Sequence, residues 1–168
     1  MVPIGRRRTQ GSREVALGFR ASAAYNGAVA QMDARASITE FLAQGPFAVA
    51  GASPDRTKYG NKVLRAYLQA GHQVYAVNPR LSDPEIEGAP RVDDLASLPE
   101  GVRGLSIVTQ PEVTERLVED AAKAGIRHLW MQPGAESEQA IERARALGLS
   151  VIGGGPCVLV ALRFRETP

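Results

Sequence analysis

From residue 46 onward, apolar runs of three to five residues recur with amphipathic stretches between them. The runs are Phe47–Ala50, Val74–Val77, Gly104–Val108, His128–Met131 and Ser150–Ile152. They are too short for helices and nearly continuous in apolar character, as strands buried on both faces are. Between them, residues 60–70 put Val63, Leu64, Tyr67 and Leu68 on one helical face, and Gly71 stops the helix. Pro111 suits the first position of a second helix, because the amide it lacks would be unpaired there. That helix carries Val113, Leu117, Val118 and Ala121 and ends at Gly125. Further helices are predicted over Glu136–Leu147 and Pro156–Leu162, with a helical turn near Asp94–Leu98. Upstream, Ser37-Ile38-Thr39-Glu40 has capping-box spacing and predicts a short helix from Ser37 to about Gly45. Residues 80–92, rich in Pro, Asp and Gly, are predicted to be a loop. Alternation of this kind predicts an α/β chain: a Rossmann-like, doubly wound sheet of about five mainly parallel strands, with helices on both faces.

Composition narrows the function classes. The 168 residues are 44% hydrophobic and 23% charged, which suits one globular domain. One cysteine excludes an intramolecular disulfide framework and a Cys-cluster zinc site. Two histidines, His72 and His128, make no multi-His metal site. No apolar run approaches the roughly 20 residues that span a bilayer, so no membrane role is expected. Residues 1–31 hold five Arg and one acid, Glu14, which leaves 15 basic and 17 acidic groups beyond them. The overall charge of +2 therefore comes from this stretch, and the slightly acidic remainder argues against nucleic-acid binding. No apolar segment of secretory-signal type follows the Arg cluster. Residues 1–31 are expected to be a disordered leader, with Met32 a candidate true start, and residues 32–168 to be the domain.

In doubly wound sheets, ligands sit outside the carboxyl ends of the strands. Here the first strand ends in Gly51-Ala52-Ser53-Pro54-Asp55-Arg56-Thr57-Lys58-Tyr59-Gly60-Asn61 and leads into a helix. Gly51 lets backbone and ligand approach closely, helix amides point back toward the loop, and Ser53, Arg56 and Lys58 offer donors to phosphate oxygens. The dinucleotide pattern G-x-G-x-x-G is absent, as is the Walker pattern. The second strand ends Asn78-Pro79-Arg80, without the acid that takes the ribose hydroxyls of NAD. Arg80 suits an additional ribose phosphate, as in NADP or coenzyme A (CoA), and reads equally well as a solvated loop charge. The third strand ends Val108-Thr109-Gln110-Pro111 and the fourth Met131-Gln132-Pro133-Gly134-Ala135, at the same rim.

Taken in order, Gly51-Ala52-Ser53 with Lys58-Tyr59-Gly60-Asn61, then Val77-Asn78-Pro79, then Trp130 to Ala135, resemble the CoA-binding protein family. These are small relatives of the CoA-binding domain of the succinyl-CoA synthetase alpha subunit. The resemblance runs from about residue 46 to 162. It implies a Rossmann-like domain with CoA across the strand tips, Ser53 and Lys58 facing phosphates, and Asn78, Pro79 and Arg80 near the nucleotide. It also implies Val108 and Thr109 flanking the adenine, and Gln132, Pro133 and Gly134 along the pantetheine arm. No counterpart of the synthetases' phosphohistidine domain is expected here. Cys157 follows Gly153-Gly154-Gly155-Pro156 and reads first as a small buried residue, with a mixed disulfide to the CoA thiol as the alternative. Asp93-Asp94 is read as a cap for the short helix, and Trp130 as core. No catalytic constellation is evident. The function expected is non-catalytic binding of CoA or acyl-CoA in the cytosol, with a protein partner conceivable. The alternatives are a partner-dependent subunit of an NDP-forming acyl-CoA synthetase and an NADP-binding redox protein.

Overall fold

A computed structural model describes residues 23–166. The elements in order are α1 (Ala23–Leu42), β1 (Phe47–Ala50), α2 (Tyr59–Gln69), β2 (Val74–Val77), β3 (Glu85–Ile86), β4 (Ala89–Val92), a 3-10 turn (Leu95–Ser97), β5 (Gly104–Ile107), α3 (Pro111–Lys123), β6 (His128–Met131), α4 (Glu138–Ala146), β7 (Ser150–Ile152) and α5 (Val158–Ala161). They build one sheet in the order β3-β4-β2-β1-β5-β6-β7, parallel except for β3. The doubly wound architecture expected from the alternation is the one observed.

Strand side chains alternate between two apolar clusters. Phe47 and Val49 join Val63, Leu64 and Tyr67 of α2 and Val158 of α5, while Ala48 and Ala50 join Val118 and Ala121 of α3 and Ala140 and Ala144 of α4. Small alanines in the central strand let helices lie close on that face. Each cluster removes one face of the sheet from water, which is the main favourable term in holding the layers together. The polar exception, Ser106, is fully buried and is hydrogen-bonded to the Tyr67 hydroxyl at 2.7 Å. Trp130 is core as expected, and its Nε1 donates to the Pro156 carbonyl at 2.9 Å.

Two local expectations are corrected. Residues 80–92 are not all loop, because β3 and β4 form an antiparallel hairpin and bring the strands to seven. Its turn uses Glu87 at φ 52° and Gly88 at φ 81°, the left-handed pair that a two-residue hairpin demands. The Ser37 capping box does not cap a helix. The helix already starts at Ala23, inside the stretch set apart as a leader, and the Ser37 hydroxyl donates to the Asp33 carbonyl one turn back. Alanines at 23, 24, 28, 30, 34 and 36 favour helix throughout that segment. The expectation for residues 1–22 lies outside the described residues. His72, expected at the surface or beside the helix end, lies just past the end of α2, where its amide donates to the Tyr67 carbonyl at 3.0 Å and its half-buried ring packs edge-on against Phe47, with ring centroids 5.1 Å apart.

The chain winds from β1 toward β2 and β4, then crosses back to β5 on the other side. The strand order therefore reverses between β1 and β5, and the crevice of such a sheet opens above these two tips.

Candidate functional site

Two glycines make the first tip. Gly51 ends β1 at φ 87°, a left-handed conformation that L side chains avoid, and a Cβ there would stand 2.9 Å from the Val108 carbonyl oxygen. The tips of β1 and β5 are thus in direct backbone contact. Gly60, in the first turn of α2, faces Gly51: a Cβ on Gly60 would fall 2.0 Å from the Gly51 carbonyl oxygen. The absence of a side chain at Gly60 is what brings the start of α2 onto the strand end.

Between these glycines the loop is tied down from within. The Asp55 carboxylate accepts from the Thr57 amide at 3.0 Å and its hydroxyl at 2.7 Å, and these bonds hold its pKa below the usual carboxylate value. Asn61 is fully buried; its Nδ2 donates to the Ser53 carbonyl at 2.8 Å and to Glu87 Oε1 at 3.0 Å, and its Oδ1 accepts from Arg65 Nε at 2.8 Å. Arg65, itself 4% exposed, pairs with Glu166 and lies over the Phe164 ring. A relay from Glu166 through Arg65 and Asn61 therefore fixes the backbone at Ser53. Asn78 locks the second tip to the first, donating from Nδ2 to the Ala52 carbonyl at 2.7 Å. Its Oδ1 accepts from the Arg80 amide at 2.8 Å and its carbonyl from Arg91 Nη1 at 2.8 Å.

Several of the residues singled out in sequence converge here. Gly51, Ala52, Ser53, Asn78 and Val108 are joined by these contacts, and Thr109 comes within the same crevice. Lys58 and Arg80 are exposed, and neither forms a salt bridge among the described residues. Lys58 is the N-cap of α2 and Gln110 that of α3, and neither side chain caps its helix, so the first amides of both receive no side-chain acceptor from that position. Val108 and Pro111 are half-buried apolar groups beside them, and Pro79 is exposed. Chemically, this arrangement presents positive charge and helix amides to an anion, next to an apolar shelf.

Other residues are turned away. Arg56 pairs with Glu87 at 3.5 Å. The Tyr59 hydroxyl lies 2.6 Å from Cys157 Sγ, and burial, then this contact, pushes the phenol's pKa up. Met131 is buried, and Gln132 is fully buried with its Oε1 accepting from the Val158 amide at 2.9 Å. From this corner, Pro133 and Gly134 are the exposed residues.

The sequence reading missed Glu87, Arg65 and Glu166. Only the buried amide of Asn61, an unusual polar residue on an apolar helix face, pointed toward them. Asp94 does cap the 3-10 turn, accepting from the Ser97 amide at 2.9 Å. Among the described residues there is no cluster of metal-ligating side chains, and no helix is long and apolar enough to cross a membrane.

Residues 46–163 match the family model of the CoA binding domain, a span that takes in β1 to α5 and every rim loop above. The chain belongs to this CoA-binding family. A curated relative, the ADP-forming acetate–CoA ligase I of Archaeoglobus fulgidus, is 28% identical over 116 residues, covering 63% of this chain and 17% of the ligase. The chain thus spans under a fifth of that relative. Among solved structures, a conserved hypothetical protein of Pyrococcus furiosus is 36% identical with a TM-score of 0.64, over 68% of this chain and 97% of that one. The dinucleotide-forming acetyl-coenzyme A synthetase 1 of Ca. Korarchaeum cryptofilum is 28% identical with a TM-score of 0.56, over 64% of this chain and 25% of the synthetase. The solved structures similar to this chain thus include one matched over nearly its full length and a synthetase matched over a quarter of its length.

Proposed function

We propose that this chain binds CoA or acyl-CoA at the tips of β1, β2 and β5 without turning it over, as a cytosolic binding module. The observation that carries the reading is the β1 tip: Gly51 and Gly60 bring α2 against the strand end, and the exposed cations Lys58 and Arg80 flank it. Lys58 and the first amides of α2 would hold the pyrophosphate, and Arg80 the ribose phosphate. Val108, Thr109, Gln110 and Pro111 would shelve the adenine. Pro133 and Gly134, with the backbone of Met131 and Gln132, would carry the pantetheine arm. Ser53, Arg56 and Tyr59 border the phosphates, and the committed side chains of Arg56 and Tyr59 shape the loop rather than grip the ligand.

Likeness to the Archaeoglobus ligase favours a second reading, in which the chain serves as the CoA-holding part of an ADP-forming acyl-CoA synthetase completed by a partner. Isothermal titration with CoA and with NADP tests the first reading. CoA should bind and NADP should bind far more weakly; heat from NADP alone would reject it. An acyl-CoA synthesis assay on co-purified partners tests the second.

A further inference from the structure

A cavity of about 460 Å³ lies at the edge of the sheet, between α1, α4 and the turn after β7. Two helical pairs, each one turn apart, face it: Asp33 and Ser37 from α1, and Ile141 and Arg145 from α4. Val151 and the glycine turn that follows β7 close it between the helices. A Cβ on Gly154 would meet nothing within 4 Å, so the turn leaves the space open. The volume falls in the range of small-molecule sites, roughly 300–1,000 Å³.

The two ionised groups at this cavity carry opposite charges, and neither is spent. Asp33 and Arg145 form no salt bridge with each other or with any other charged group among the described residues. The Ser37 hydroxyl donates to the Asp33 carbonyl at 2.9 Å, which leaves its oxygen lone pairs to accept. A carboxylate and a hydroxyl acceptor on one wall therefore face a guanidinium on the other, and half-buried Ile141 and Val151 add aliphatic surface. A lone anion bound here would meet Asp33 as well as Arg145, and a lone cation would meet Arg145 as well as Asp33. A small zwitterion satisfies both.

We propose that this cavity binds a free α-amino acid with an aliphatic side chain. The ligand's ammonium donates to the Asp33 carboxylate and to Ser37 Oγ, its carboxylate accepts from the Arg145 guanidinium, and its side chain lies against Ile141 and Val151. Charge-assisted bonds at both ends fix its orientation. The site is independent of the CoA reading, because none of the residues assigned to CoA lines the cavity.

The test is calorimetric titration of the full chain with alanine, valine and leucine. Isovalerate, which is valine without its ammonium, and isobutylamine, which is valine without its carboxylate, are the controls. The titrations are repeated on Asp33→Asn and Arg145→Gln, exposed positions on different helices whose substitution should leave the melting temperature at the parent value. The expected result is binding of the amino acids, with valine favoured over both controls and weakened about tenfold or more in each variant. Equal binding of valine and either control, or an affinity unchanged in both variants, overturns the zwitterion site. So does the absence of both heat and thermal stabilisation with all three amino acids. None of these outcomes bears on CoA binding, which is titrated separately.

Discussion

Replacing Gly60 with alanine separates two physical arguments that predict opposite signs. Gly60 lies within α2, and alanine in a helix interior is favoured over glycine by about 1 kcal/mol. Propensity alone therefore makes Gly60→Ala stabilising. Packing says otherwise, because the new Cβ would lie 2.0 Å from the Gly51 carbonyl oxygen, where real Cβ contacts under 3.0 Å are essentially never seen. The helix start and the strand end must separate by about 1 Å. The clashing atom is backbone of a strand end hydrogen-bonded on both sides, since the Gly51 amide bonds Val77 and the Val108 amide bonds Ala50. Overpacking of this kind costs about 1–3 kcal/mol, and an unyielding neighbour puts it at the upper end. The net expectation is a loss of about 2 kcal/mol, which lowers Tm by roughly 4–8 °C at this chain length. Urea unfolding followed by circular dichroism measures it, with the slope of the transition unchanged. Gly71→Ala is the comparison, since a Cβ there meets nothing within 4 Å and only the backbone at φ 77° is strained; its cost should be about 1–2 kcal/mol. An unchanged or raised midpoint for Gly60→Ala would refute the account of how α2 meets β1.

Lys58→Ala and Arg80→Ala should each weaken CoA binding by roughly 1.5–3 kcal/mol, the range for hydrogen bonds to charged groups, while leaving the melting temperature nearly unchanged. Calorimetric affinities that stay at the wild-type value for both would misplace the phosphates. Asn61→Ala should destabilise by at least about 2 kcal/mol, because it strips Arg65 Nε of its acceptor and the Ser53 carbonyl of its donor in a buried site; a urea midpoint within error of wild type would deny the relay. Acid should act through Asp55, Asp94, Glu119 and Glu166, whose pKa values are lowered by bonds from Thr57, Ser97, Arg143 and Arg65. Depressed carboxylates stabilise the fold above their unfolded values of 3.8 and 4.5, and that contribution is lost as pH falls through the folded ones. The urea midpoint should hold steady down to about pH 5 and decline below about pH 4; a flat profile to pH 3 would contradict this.

Much of the architecture was legible because it rests on patterns that are local. Phe47–Ala50 and Val74–Val77 read as buried strands, Pro111 and Gly125 bracketed α3, and Gly71 closed α2, each within a residue or two of the observed bounds. The β3–β4 hairpin was not legible. Pro84 and Pro90 argue against strands, and Glu87 is an unusual residue for a left-handed turn position; it is held there through Asn61 and Arg56, contacts made 26 and 31 positions away in sequence. Ser37 misled for the reverse reason: its spacing to Glu40 is the same whether a helix starts there or passes through. At the site, the backbone features and the exposed cations could be placed at the strand ends from sequence. Which side chains were already committed could not: Gln132 reads as polar and available, yet it is spent on the amide of Val158.

The most direct measurement is a co-crystal structure of the full chain with CoA. The account predicts pyrophosphate density against the first amides of α2 within reach of Lys58, with the adenine beside Val108 and Pro111. Ordered CoA bound on any other surface of the molecule would contradict it.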